Sequence, residues 1–256
     1  MDKDETKYKL KIWGDNMEKI KKLQEIIDDS KKIVFFGGAG VSTESGIPDF
    51  RSVDGLYNQT YDYPPEEILS RSFFDKNKIE FYRFYKNKMI IKGVKPNYAH
   101  EFLYELEKKK KLLSVITQNI DGLHTEAGNS RVLELHGSIK RNYCVKCGCF
   151  YDENYIINSS DIPYCKHCGG VVKPDVLLYQ ENLDEKTLYD AVSDIMEADT
   201  LIVGGTSLTV YPAAGMIKYF NGKNLVLINR DKTSYDNYAT LVINEKIGEV
   251  FKKIKL

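Results

Sequence analysis

The stretch Ile33-Val34-Phe35-Phe36-Gly37-Gly38-Ala39-Gly40-Val41-Ser42 decides the fold. Its first four residues are apolar without alternation, the pattern of a short strand buried on both faces, as in parallel sheets. Glycines follow at once and mark a tight turn into a helix start. Glycine there lets a phosphate or ribose approach the main chain, and free N–H groups at a helix start favour an anion. The dinucleotide fingerprint is incomplete, because Thr43 stands where a third glycine would be. No lone acidic residue follows a second strand at the usual distance.

Working outward, the same apolar pattern returns at Leu112-Leu113-Ser114-Val115-Ile116, Leu201-Ile202-Val203 and Leu225-Val226-Leu227-Ile228, and in shorter form at Leu241-Val242-Ile243. Helical spacing separates these runs. It is carried by Met17, Ile20, Leu23, Ile26 and Ile27, with Asp15 or Asn16 as the expected cap. Further helices are predicted over 98–110, 183–197, 213–220 and 247–254. Strand alternating with helix predicts an α/β fold, a Rossmann-like doubly wound parallel sheet with ligands at the carboxyl ends of its strands.

Two stretches break the alternation. Residues 53–93 are polar and aromatic-rich, and residues 136–170 hold every cysteine. Both are expected to form a smaller helical and zinc-ribbon module. Residues 1–52, 94–135 and 171–256 then make the nucleotide-binding domain.

The chain has 256 residues, with 37 Lys+Arg against 37 Asp+Glu. Zero formal charge argues against a nucleic-acid binder. Hydrophobic residues at 42% are enough for a packed core and too many for a disordered chain. The uncharged run 200–217 reaches membrane-span length, but Gly204, Gly205, Pro212 and Gly215 break it into strand, loop and helix start. The charged N-terminus has no apolar core behind it. A soluble, cytoplasmic protein is expected, without nucleic-acid or membrane partners.

Cys144-Val145-Lys146-Cys147 and Cys165-Lys166-His167-Cys168 have the spacing of a four-thiolate zinc site. Each pair turns tightly, so four sulfurs surround one ion and leave no place for water. One structural zinc is expected, on Cys144, Cys147, Cys165 and Cys168. His167 is an alternative ligand, and Cys149 is a bystander thiol.

Gln118, Asn119 and Asp121 follow the second strand. Their amides and carboxylate suit ribose hydroxyls and a carboxamide. His136 follows the apolar residues Val132, Leu133 and Leu135, and histidine suits general-base work near neutral pH. His100 and His124 read as helix-surface or packing residues.

The run Gly38-Ala39-Gly40-Val41-Ser42-Thr43-Glu44-Ser45-Gly46-Ile47-Pro48-Asp49-Phe50-Arg51-Ser52 resembles the NAD-binding signature of the sirtuins, the NAD-dependent protein deacylases. In the same order, so do Thr117-Gln118-Asn119-Ile120-Asp121-Gly122-Leu123-His124, then Glu134-Leu135-His136-Gly137-Ser138, then the four cysteines. Gly204-Gly205-Thr206-Ser207-Leu208 and Asn229 match later nucleotide contacts. The resemblance spans roughly residues 18–254.

The resemblance implies NAD as cofactor and an acyl-lysine protein or peptide as partner. It implies NAD contacts at Gly38, Ala39, Gly40, Thr43, Phe50, Arg51, Gln118, Ile120, Asp121, Thr206, Ser207, Asn229 and Ile247. Phe50 would cover the nicotinamide ribose, and Arg51 would support phosphates or bound water. His136 would be the general base and Asn119 would position ribose or water. Asp121 would hold the nicotinamide amide. Leu177 and Tyr179 would line the acyl-lysine tunnel. Most members show Phe-Gly where this chain has Tyr179-Gln180. The Tyr/Arg pair of members that remove acidic acyl groups is missing around Tyr57 and Tyr61, so a neutral acyl group such as acetyl is expected. The implied reaction releases nicotinamide and an O-acyl-ADP-ribose, from a monomeric enzyme. An ADP-ribosyltransferase or NAD glycohydrolase using the same site, and a non-catalytic NAD sensor or zinc-ribbon scaffold, remain as alternatives.

Overall fold

The computed structural model describes residues 3–49 and 63–256, with side chains from residue 16 onward in the first helix. Helix α1 (Lys3–Asp29) leads into β1 (Ile33–Gly37) and two short 3-10 turns, Ala39–Val41 and Thr43–Ser45. From residue 63 come α2 (Pro65–Ile68), α3 (Arg71–Lys76) and α4 (Lys78–Phe84), then a π turn at Tyr85–Met89. Next are α5 (Tyr98–Lys108), β2 (Leu112–Thr117), α6 (Leu123–Ala127) and β3 (Val132–Glu134). They precede β4 (Gly137–Cys144), β5 (Phe150–Asp152), α7 (Glu153–Asn158) and β6 (Val172–Val176). The chain ends with α8 (Glu185–Glu197), β7 (Thr200–Gly204), β8 (Asn224–Ile228), β9 (Leu241–Ile243) and α9 (Ile247–Phe251).

Six parallel strands form one sheet in the order β3-β2-β1-β7-β8-β9. The chain steps outward from β1 to β3, then returns to the other side of β1 at β7. That reversal is the topological switch point of a Rossmann-like sheet, where a crevice opens beyond the strand ends. Alternation along β1 serves both faces. Ile33 and Phe35 pack with Leu23 and Ile27 of α1, Phe102 and Leu103 of α5, and Phe251 of α9. Val34 and Phe36 pack with Ala191 and Ile195 of α8. The sheet is thus covered on both sides, as its continuous apolar strands require.

Two local expectations change, and one strand is added. Helix α1 begins at Lys3 and runs through Asp15 and Asn16, which therefore do not cap it. No proline interrupts this stretch, and Gly14 in a helix costs only about 1 kcal/mol. The segment expected as a helix over 213–220 is a 3-10 helix at Ala213–Tyr219. Residues 132–134 form the edge strand β3, pairing with β2 through Val115, Ile116 and Thr117.

The second, antiparallel sheet has the order β5-β4-β6. Its residues Ile139, Val172 and Val176 share one core with Phe74, Phe81, Tyr82 and Tyr85 of the helical stretch. The Tyr82 hydroxyl donates to the Val172 carbonyl at 2.6 Å. Residues 172–176, assigned from the sequence to the larger part, hydrogen bond with β4 instead. The chain passes from the large sheet to the small one through Leu135, His136 and Gly137. A Cβ on Gly137 would stand 1.9 Å from the Asp175 carbonyl oxygen, so only glycine fits that crossing.

Candidate active site

The loops after β1 and β7 lie against each other at the switch point. The Gly40 amide donates to the Gly205 carbonyl at 2.8 Å. A Cβ on Gly40 would meet Gly205 Cα at 2.7 Å, and one on Gly38 would meet Thr206 Cβ at 2.8 Å. The side of each glycine that a Cβ would occupy is therefore filled by the neighbouring loop. Ala39, Gly40 and Thr43 face the cavity, and Gly38 is not one of its lining residues. Asn97 holds the turn from below. Its Nδ2 donates to the Val41 carbonyl at 2.8 Å and Ser45 Oγ at 3.0 Å, while its Oδ1 caps α5 at the Ala99 amide. No local pattern along the chain marks this tie, which spans 56 positions.

Ser42 is the second residue that sequence reasoning left without a role. Its hydroxyl donates to Asp121 Oδ2 at 2.7 Å and accepts from Asn119 Nδ2 at 3.1 Å. Asp121 Oδ1 accepts from the Leu123 amide at 2.9 Å. Burial raises the Asp121 carboxyl above its ordinary range, against the lowering effect of the Leu123 and Ser42 hydrogen bonds and of Lys140. One buried hydroxyl thus fixes both an amide and a carboxylate at the carboxyl end of β2. Its signal was its place in the Gly-rich run.

His136 follows β3. Its Nδ1 lies 2.9 Å from the Gln118 carbonyl oxygen. A carbonyl only accepts, so Nδ1 carries the proton and Nε2 keeps its lone pair. Burial lowers the His136 pKa, opposed by the Gln118 hydrogen bond. Burial thus favours the neutral imidazole, and the Gln118 hydrogen bond leaves Nε2 as its basic nitrogen. His100 and His124 are buried, their ring centroids 4.6 Å apart. That settles the packing reading of these two over the helix-surface one.

One cavity of about 620 Å³ gathers these groups. His136, Asn119, Gln118, Ile120, Asp121, Thr206, Ser207, Asn229, Ile247, Leu177 and Tyr179 all line it. Gln118 Nε2 lies 3.4 Å from Thr206 Oγ1, joining the β2 and β7 loops. Asn229 Nδ2 is turned to the Asp231 carbonyl at 2.9 Å. The sequence did not point to Met89, Ile91 and Val94, which add an apolar wall beside Leu178. Phe50, Arg51, Tyr57 and Tyr61 lie outside the described residues.

The residues present fit a dinucleotide. Hydroxyl, amide and carboxylate groups stand at the ends of β1, β2, β7 and β8, beside exposed loop backbone. That donor set matches ribose hydroxyls, phosphates and a carboxamide.

The small module carries the metal centre. The sulfurs of Cys144, Cys147, Cys165 and Cys168 all lie within 4.8 Å of one another. Cys144–Cys168, Cys147–Cys165 and Cys147–Cys168 sulfurs are 3.4, 3.6 and 3.3 Å apart. A tetrahedron with Zn–S of about 2.3 Å has edges of about 3.8 Å, so a zinc ion fits with a small outward adjustment. The Lys146 and His167 amides point at the Cys144 and Cys165 sulfurs, as in two facing knuckles. Neither His167 nor Cys149 joins the cluster. All four positions are protein thiolates, so the site is structural.

Comparison with known proteins agrees with this geometry. The model of the Sir2 family matches residues 38–212. An NAD-dependent protein deacetylase of Clostridium perfringens (strain 13 / Type A) is 57% identical over 240 residues, covering 93% of this chain and 98% of that protein. A Sir2 structure with a deacetylated p53 peptide and 3'-O-acetyl ADP-ribose superposes with a TM-score of 0.84 at 37% identity, covering 91% of this chain and 96% of its own. One with a p53 peptide and NAD+ gives 0.81 at 38% identity, over the same 91% and 96%. With the glycine turn, the Asn119–Asp121 loop, His136 and the four cysteines all in place, the chain belongs to the Sir2 family.

Proposed function

We propose that this protein is an NAD-dependent protein-lysine deacylase, acting on neutral acyl groups and above all on acetyl. One observation carries the reading: an imidazole whose Nδ1 is held by the Gln118 carbonyl, with Nε2 left for a cavity shared with Asn119 and Asp121.

NAD supplies a ribose–nicotinamide bond to be broken and a ribose to receive the acyl group. The chain's own residues do the rest. Asp121, held by Ser42 and the Leu123 amide, takes the carboxamide and draws nicotinamide away. Asn119 orients a ribose hydroxyl or a water. His136 accepts a proton at Nε2 from a ribose hydroxyl, and the resulting positive charge is shared with the Gln118 carbonyl through Nδ1–H. Positioned general bases contribute about 10²–10⁴-fold. Leu177 and Tyr179 stand as walls for the acyl-lysine, and Phe50 and Arg51 complete the nucleotide contacts. Zinc holds the small module and takes no part in the chemistry.

The peptide partner is an extended acyl-lysine segment. The amides of Leu177, Leu178 and Tyr179 already donate within the protein, to His136, Glu181 and Leu69. Main-chain pairing with a peptide therefore uses other groups of this loop. The protein is taken to act as a cytoplasmic monomer. Among the described residues no helix is long and apolar enough to cross a membrane. Sedimentation at the mass of one chain is expected.

The test is incubation with NAD and a panel of acyl-lysine peptides, with products identified by mass. Acyl-ADP-ribose, nicotinamide and free lysine in equal amounts support the reading. ADP-ribose attached to protein, or released without loss of the acyl group, overturns it.

A further inference from the structure

The loop 177–181 carries both residues assigned to the acyl-lysine walls, and it is tied down by one carboxylate. Glu181 Oε2 accepts from the Leu178 amide at 2.8 Å and from Lys173 Nζ at 3.2 Å. Its Oε1 accepts from Arg71 Nη1 at 3.2 Å. The Lys173 and Glu181 side chains are only 15% and 18% exposed, so this pair is far less screened than surface pairs. Arg71 also binds Asp75 along α3. Main-chain bonds run parallel to these ties. The Tyr179 amide donates to the Leu69 carbonyl, and the Arg71 amide donates to the Tyr179 carbonyl, each at 2.9 Å. At the loop's other end, the Leu177 amide donates to the His136 carbonyl at 3.0 Å.

The loop is thus strung between His136 and the start of α3. Glu181 joins three elements at once: the loop, β6 through Lys173, and α3 through Arg71. We propose that Glu181 is a positioning residue for the acyl-lysine peptide, holding the Leu177–Tyr179 wall at the distance from His136 that the substrate needs. The proposal rests on the deacylase reading and concerns the peptide half of the site alone. Among the described residues, the bonds of Glu181 itself go to Leu178, Lys173 and Arg71, none of them assigned to NAD.

Glu181→Gln keeps size and one acceptor but removes the charge that faces Lys173 and Arg71. Lys173→Met removes the same pair from the other side, together with the Nζ bonds to the Pro174 and Val176 carbonyls. Both are tested by fluorescence anisotropy with a labelled acetyl-lysine peptide, and by NAD titration in a separate calorimetric measurement. Each variant is expected to weaken peptide binding about tenfold, the scale of one charge-assisted hydrogen bond, and to leave NAD affinity within about twofold. The double variant is expected to weaken binding by less than the sum of the two singles, since the Lys173–Glu181 pair is lost in both while the Arg71 and carbonyl contacts are lost in one each. Peptide affinity equal to wild type in either folded variant overturns the proposal, as does an equal loss for peptide and NAD. If Glu181→Gln fails to fold, Lys173→Met decides alone. Because binding is read without turnover, a wild-type protein that holds the peptide but releases no acyl-ADP-ribose sinks the deacylase reading separately.

Discussion

The Ser42 hydroxyl donates to Asp121 Oδ2 at 2.7 Å while Asn119 Nδ2 donates to the same hydroxyl. The group that holds the carboxylate therefore also aims the amide. Ser42→Ala leaves both buried polar groups short of a partner, which costs about 1–3 kcal/mol. The variant is expected to lose that much stability in urea denaturation and to slow nicotinamide–NAD exchange about tenfold. Exchange at the wild-type rate would contradict the role given to this hydroxyl.

His136→Ala is expected to keep NAD binding and lose turnover by about 10²-fold or more, the contribution of a positioned base. Calorimetry with NAD and steady-state deacetylation read the two halves separately. Full turnover in the variant ends the mechanism.

Acid should act on activity and on stability with the same sign. Burial lowers the His136 pKa, so its basic form persists below pH 6.5. The acid limb of kcat/KM is expected below that value, and a midpoint above it counts against His136 as the base. Burial also pushes His124 well down and His100 down to about 4. The unfolded chain then binds more protons than the folded one over that window. Stability is complete above about pH 6.5 and falls as pH drops towards 4, with His100 alone accounting for roughly 2 kcal/mol by pH 5. Urea midpoints at pH 7 and 5 measure this directly.

Zinc removal by a strong chelator is expected to lower the melting temperature and abolish activity, because a structural site contributes its binding energy to folding. Re-addition of zinc should restore both. An unchanged melting temperature after verified removal would count against a structural role.

Gln180 sits at φ +76, the left-handed region, and its Oε1 accepts from the Ser72 amide at 3.0 Å. Glycine is at ease in that backbone region, whereas a side chain costs about 1–2 kcal/mol there. Gln180→Ala keeps the strain and loses the hydrogen bond. Gln180→Gly loses the bond and relieves the strain. The glycine variant should therefore melt above the alanine one, and the reverse order would show that the loop relaxes on its own.

These features differ in how far the sequence disclosed them. Strands β1, β2, β7, β8 and β9 were legible because each is an apolar run buried on both faces. The thiolate cluster was legible because metal geometry limits the spacing of its ligands. Strand β3 is three half-buried residues at a sheet edge, too short for a pattern to stand out. The 3-10 stretch at 213–219 has apolar spacing that an α-helix would share, so the pattern did not separate the two. Ser42 and Asn97 act through partners 79 and 56 positions away, and Glu181 adds to its near neighbours Lys173 and Leu178 a partner 110 positions away. No window along the chain could have paired them.

Gly137 has a consequence for how the two halves of the molecule can evolve. The proposed base stands one residue before a crossing where even a methyl group has no room. The ribbon beyond is free to change its strands, loops and metal grip, and the dinucleotide side is free to change its helices. The seam itself admits no drift, because any bulk there would pry the ribbon outward and swing the imidazole off its carbonyl.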